Sequence, residues 1–190
     1  MGKIVVSQFV TLDGVMEDPG GAEGFERGGW AFQFERGPEG DQFKLDEVMA
    51  ADALLLGRRT YEGFAEAWPS RTGEFADKFN TMPKYVVSST LEDPEWSNST
   101  VIRPDDLAEE IAKLKEQHDR DILVNGSAQL VDALAKADLV DEYRLMVFPV
   151  VLGAGKRLFA DGADRIPLQV VDLRQTGEVV ILTLRRAEEE

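Results

Sequence analysis

The sequence predicts an α/β fold: a mixed, mostly parallel central sheet flanked by helices, with an antiparallel hairpin at its C-terminal end. Three observations carry this. Short uninterrupted apolar runs, such as Ile122-Leu123-Val124 and Ala53-Leu54-Leu55-Leu56, have the pattern of strands buried on both faces. Each is followed by a glycine-bearing turn and a segment with helical spacing of apolar residues, the alternation that builds parallel sheets. The last two β-prone runs, 168–173 and 179–184, have no helix between them and are joined through Gln175-Thr176-Gly177-Glu178, a hairpin signal.

In chain order, Lys3 to Val10 is apolar and β-rich enough for a central strand, ending at the turn residues Asp13-Gly14. A long polar loop rich in glycine follows, through Gly20-Gly21 to Gly28-Gly29-Trp30, and loops of this length in compact domains are usually functional or mobile. Its aromatic residues Trp30, Phe32 and Phe34 suit a cover over a cleft or ordinary loop packing. Asp41 to Ala51 has helical spacing, the strand at 53–56 comes next, and a helix from Arg58 ends before Trp68-Pro69. Residues 73–80 predict a short helix, Lys84 to Val87 a strand closed by Ser88-Ser89-Thr90, and 100–102 a brief strand. Asp105 or Asp106 caps a helix over 107–117 that leads to the strand at Ile122. His118 falls at that helix end, a solvated position. A further strand runs from Asp141 to Phe148, and Pro149 to Phe159, with Gly153 and Gly155, is a loop packed close to something.

At 190 residues and 43% hydrophobic, the chain suits one domain over 1–187 with an acidic tail at 188–190. The formal charge of −15 argues against nucleic acid or an anionic membrane as partner, so any anionic ligand needs a local cluster of Arg, backbone N–H groups and helix ends. With no Cys and the single His118, thiolate chemistry and the usual zinc sites are excluded, and no metal is expected. No apolar run approaches membrane-spanning length, and the cytoplasm is the expected compartment. The stretch from Asp121 to Leu134 is the most informative: strand, Asn125-Gly126-Ser127 turn, then a helix capped by Ser127. Unpaired N–H groups at such a helix start suit a phosphate, although the same residues also make an ordinary strand-to-helix connection.

The order of parts resembles the dihydrofolate reductase-like superfamily and, more closely, stand-alone relatives of the C-terminal reductase domain of the bifunctional riboflavin-biosynthesis deaminase-reductase. The residues that carry the resemblance are Val10-Thr11-Leu12-Asp13-Gly14, Leu56-Gly57-Arg58-Arg59-Thr60-Tyr61-Glu62, Val87-Ser88-Ser89, Val124-Asn125-Gly126-Ser127 and Phe148 to Gly155. The resemblance implies a dihydrofolate reductase-like sheet and a reductase that uses NADPH, with a homodimer as the assembly. By matching position, Gly57, Arg58 and Thr60 resemble the loop that receives cofactor phosphate. Ser88 and Ser89 resemble the hydroxyls near the adenosine 2′-phosphate, and Asn125, Gly126, Ser127 and Ala128 the pyrophosphate turn. Thr60 as a helix cap and Ser88-Ser89 as a strand end are the structural alternatives. Asn125 stands where dihydrofolate reductases have the first of two glycines. The deaminase partner's His and Cys ligands have no counterpart, and no acidic residue for holding a pterin ring is legible.

The activity so implied is hydride transfer from NADPH to a small heterocyclic or ribosylaminopyrimidine-like substrate, such as that of 5-amino-6-(5-phosphoribosylamino)uracil reductases. A binding module of the same fold that holds a nucleotide or pterin without turnover is the alternative. Thr11 and Asp13 are the candidates for proton relay or substrate contact, with a turn role as the alternative for Asp13. The acceptor is expected beside them and the loop of Pro149, Leu152, Gly153 and Gly155, with Trp30 closing over it.

Overall fold

The structure is a computed structural model that describes residues 1–187. The proposed acidic tail, 188–190, lies outside the described residues. Strands β1 (Lys3–Thr11), β2 (Ala51–Gly57), β3 (Lys84–Val87), β4 (Ser99–Ile102), β5 (Asp121–Val124), β6 (Glu142–Phe148), β7 (Leu168–Thr176) and β8 (Val179–Arg186) form one sheet in the order β4-β3-β2-β5-β1-β6-β8-β7. Pairings from β4 through β6 are parallel, whereas β8 runs antiparallel to both neighbours. The sheet is therefore mostly parallel with a C-terminal antiparallel hairpin, as the sequence predicts.

Helices α1 (Gly37–Ala50), α2 (Arg58–Ala67), α3 (Glu74–Thr81), α4 (Leu107–Gln117) and α5 (Ala128–Lys136) cover the sheet. Alternate residues along the inner strands feed two cores, because a strand buried on both faces needs apolar side chains on each. Ile4, Val6, Leu55, Ile122 and Val124 meet Ile111 and Leu114 of α4 and Leu130, Val131 and Leu134 of α5. Val5, Leu54, Leu56 and Leu123 instead meet Val48 of α1, Tyr61 of α2 and Phe79 of α3. A third cluster around Trp30, Met146, Phe148 and Ile181 closes the β6–β8 end.

Two local expectations change. No side-chain cap bond forms at Asp106, because Pro104–Asp106 make a 3-10 turn that leads directly into α4. His118 is partly buried and pairs through Nε2 with the Tyr85 hydroxyl at 3.0 Å, which anchors the end of α4 to β3. Lys84, at the start of β3, is fully buried and donates to the carbonyl oxygens of Asn80, Met82 and Ser97. Burial draws its ammonium down to about 8.

Candidate cofactor and active site

Adjacent strands β2 and β5 send their following helices to opposite faces of the sheet, α2 towards α1 and α5 towards α4. Such a switch point opens a crevice at the carboxyl ends of parallel strands, the usual ligand position in these sheets. Two helix N-termini meet there. A Cβ on Gly57 would lie 2.4 Å from the Ser127 side chain, and one on Gly126 would lie 2.5 Å from Thr60 Oγ1. Only glycine permits this approach, and Gly126 also has φ +75, a left-handed value. Ser127 shares the positive φ, at 58°, and its Oγ accepts the Leu130 N–H at 3.3 Å, so it caps α5 as predicted. The turn over 125–128 is thus held against the start of α2, with both helix dipoles directed at one place.

The rim is cationic although the molecule is acidic. Arg58 is exposed and pairs with Glu62 at 3.1 Å, while Arg59 is exposed and makes no ion pair among the described residues. Arg103, at the end of β4, donates to the Ser88 carbonyl at 3.0 Å and so brings a guanidinium to the ends of β3 and β4. Ser88 is 5% exposed, and its Oγ accepts the N–H groups of Thr90 and Leu91, a turn-closing role; Ser89 is exposed. Thr60 caps nothing by its side chain; it packs on Gly126 instead. Arg103 was missed because the sequence shows only an arginine before a proline; the β3–β4 pairing supplies its position.

Beyond the turn, β1 outruns β5. Their register ends at Val6 opposite Val124, whereas β1 continues beside β6 as far as Thr11 opposite Phe148. From Ser7 onwards one edge of β1 has no strand partner. Side chains finish it at the base: Asn125 Nδ2 donates to the Ser7 carbonyl at 3.1 Å and Gln8 Nε2 to the Val124 carbonyl at 3.3 Å.

Thr11, Asp13, Leu152 and Gly153 are brought together, but as a clasp. The Thr11 hydroxyl donates to Asp13 Oδ1 at 2.6 Å and accepts the Val15 N–H. Asp13 also accepts the N–H groups of Leu152 at 3.2 Å and Gly153 at 2.8 Å. The Thr11 bond, aided by those of Gly153 and Leu152 against desolvation, holds the Asp13 carboxyl at about 2. An acid ionised so far below neutrality is a fixed acceptor and a poor proton donor, so the relay expected of Thr11 and Asp13 does not suit this geometry.

The two loops around the clasp are zipped together. Met16 N–H donates to Lys156 O, Leu158 N–H to Gly14 O, and Arg27 to the Leu152 carbonyl, while a Cβ on Gly155 would meet Val15 at 2.8 Å. Pro149 is exposed beside this seam. The glycine-rich loop is itself wound about Asp18, 1% exposed, whose carboxylate accepts the N–H groups of Glu23 and Phe25. Trp30 differs from the expectation of a cover. It is 1% exposed, packs edge-on to Phe148 at 5.3 Å and donates its indole N–H to the Glu17 carbonyl, so it anchors the loop in the core. Phe32, 78% exposed, is the aromatic residue of that loop which faces solvent.

Residues 2–182 match the family described as RibD C-terminal domain. The chain belongs to that family. Two relatives from Bacillus subtilis (strain 168) carry the names uncharacterized protein YyaP and uncharacterized protein YwjB. YyaP is 31% identical over 184 residues, 94% of this chain and 92% of its own. YwjB is 31% identical over 185 residues, 97% of this chain and 98% of its own. A putative riboflavin biosynthesis protein from Shewanella sp. PV-4 has the same fold, with TM-score 0.76 and 20% identity over 98% of this chain and 99% of that one. RibD from Acinetobacter baumannii gives 0.67 at 17% identity, and this chain, 98% covered, spans 58% of it. Dihydrofolate reductase from Enterococcus faecalis, complexed with NADP(H), gives 0.64 at 15% identity, covering 98% and 97% of the two chains. A dihydrofolate reductase-like fold is thereby shown for this RibD C-terminal domain.

In this RibD C-terminal domain the sequence reading also missed a buried polar group beneath the free edge of β1. Glu47 of α1 is 4% exposed, and its Oε2 accepts the Ser7 hydroxyl at 2.7 Å and Lys44 Nζ at 2.5 Å. Arg144 on β6, the register partner of Ser7 on β1, lies 3.7 Å from Glu47 Oε1 and pairs with Glu142 and Asp121, and Glu142 pairs in turn with Arg185. With Arg185 included, three cations face three carboxylates, which is what permits their burial. A helix with one Lys among several acidic residues reads as a solvated face until its partner strand is known.

Proposed function

We propose that this chain is an NADPH-dependent reductase, one catalytic unit over residues 1–187, that transfers hydride to a small heterocyclic or ribosylaminopyrimidine-like acceptor. The observation that carries the reading is the junction of two helix N-termini at the switch point, with glycine at 57 and 126 where a Cβ would collide with Ser127 and Thr60. N–H groups from both helix starts suit a pyrophosphate, and the arginine rim suits a further phosphate on the adenosine ribose. Gly57, Thr60 and residues 125–128 would hold the diphosphate; Arg58, Arg59 and Arg103, with Ser88 and Ser89, would flank the 2′-phosphate. NADPH, when bound, supplies a hydride. The residues of this chain contribute position, and the free edge of β1 offers backbone donors and acceptors to a planar amide laid along it.

Calorimetric titration tests this reading. NADPH should bind at least tenfold more tightly than NADH, about 1.4 kcal/mol. Arg103→Ala and Arg58→Ala should each weaken NADPH by about 1–3 kcal/mol while leaving NADH within threefold, because only the phosphate loses a charge-assisted bond. Equal affinities for the two cofactors would remove the roles given to these arginines. Saturable binding without oxidation of NADPH by any acceptor would favour the binding module. The proposed assembly is a homodimer, supported by an apolar edge strand considered below.

A further inference from the structure

We propose that Lys44 is the catalytic proton donor to the acceptor, and that the acceptor is a polarised C=N or C=O compound; this rests on the reductase reading above. Once Asp13 and Thr11 are committed to the loop clasp, the candidate site needs another source for the proton that must accompany a hydride. Lys44 is placed for it. Its Nζ lies 2.5 Å from Ser7 Oγ and 2.5 Å from Glu47 Oε2, on the α1 face of β1. Ser7 is the residue at which β1 loses β5 as a neighbour, and its carbonyl accepts from the side-chain amide of Asn125 in the proposed diphosphate turn. The ammonium is therefore joined to the cofactor turn through a single residue.

Two of its N–H groups are used by Ser7 and Glu47, and the third has no partner among the described residues. The Lys44 side chain keeps 15% of its exposure, whereas that of Glu47 keeps 2%, so Lys44 is the member of this pair that reaches the surface. It also lies 5.5 Å from the centre of the Phe9 ring, two residues beyond Ser7 on the same face of β1. A flat acceptor set against Phe9 would meet an N–H donor at its edge. In the step, the acceptor carbon receives the hydride supplied by NADPH, the π electron pair of C=N or C=O moves to its nitrogen or oxygen, and Lys44 Nζ transfers a proton to that atom. NADP⁺, the reduced acceptor and a neutral Lys44 result, and water reprotonates the amine. Glu47 is a positioning residue, holding the ammonium by its second oxygen.

The test uses the full chain, Lys44→Arg and Lys44→Gln, with 5-amino-6-(5-phosphoribosylamino)uracil as the acceptor probe. NADPH affinity by calorimetry should stay within threefold in both variants. Lys44→Arg keeps the charge and the Glu47 pair but holds its proton too firmly to transfer it, so kcat should fall at least 100-fold while the thermal midpoint stays near wild type. A Lys44→Arg enzyme with more than a third of wild-type kcat would show that the residue is only a structural partner of Glu47, and would overturn the proposal. Wild type that binds NADPH yet never oxidises it with the probe overturns the proposed acceptor chemistry while sparing the cofactor site. Failure of wild type to bind NADPH overturns the reductase reading itself.

Discussion

Asp13 shows how one carboxylate is assigned its work by the groups that reach it. Three donors converge on two oxygens, and a carboxylate so surrounded is worth most while ionised. Asp13→Asn replaces one acceptor by an NH₂ group facing N–H donors, and the clasp between β1 and the 149–155 loop should open. Amide exchange at Leu152 and Gly153 should accelerate at least tenfold, with NADPH affinity within threefold of wild type. The pH dependence has a definite sign. The folded-state value, about 2, lies below the ordinary 3.8, so the clasp contributes fully above about pH 4 and is lost as pH falls through 2. Amide exchange followed from pH 4 to 2 should show this loosening in wild type and not in the variant; identical profiles would refute the role.

Among the elements, the junction of α2 and α5 is the most constrained. Gly126 combines a left-handed backbone with a Thr60 side chain that leaves no space for a methyl group. Gly126→Ala should cost about 2–4 kcal/mol in urea unfolding, from backbone strain and the clash together. Thr60→Ala in the same chain should recover about 1 kcal/mol of this, because the clash is relieved and the positive φ is not. Strict additivity of the two substitutions would show that the helix starts do not press on each other. The same junction explains why Thr60 is not a cap: its side chain is spent on a neighbouring turn that arrives some 65 positions later in the chain.

At the scale of the whole molecule, β7 is an outer strand with one side unpaired, and Val170, Val171 and Leu173 are 55%, 46% and 62% exposed. Apolar edge strands left open invite pairing or cover, and a second copy is the cover proposed here. Light scattering at micromolar concentration should give twice the 21.1 kDa chain mass, and Leu173→Lys should shift it towards one. A wild-type monomer under those conditions would refute the assembly. A net charge of −15 opposes association of like chains, so the dimer should strengthen with salt over the range in which screening acts.

The sequence by itself determined the alternation of strands and helices, the terminal hairpin and the turns at Gly57 and Asn125-Gly126-Ser127. These are local matters: apolar periodicity decides which face is buried, and glycine decides where a turn can take a positive φ. It placed α4 at its observed bounds and Ser127 at its cap for the same reason. What only the tertiary structure decided is who meets whom across the sheet. Trp30 looked like a cover because it follows a long polar, glycine-rich loop, and it is buried because Phe148, over a hundred residues later, packs against it. Asp13 looked like an acid until Leu152 and Gly153 arrived with their N–H groups. Arg103 and Lys44 carried no signal, since a cation acquires a role only from the strand ends and carboxylates that long-range pairing sets beside it, and strand order is a property of the folded chain alone.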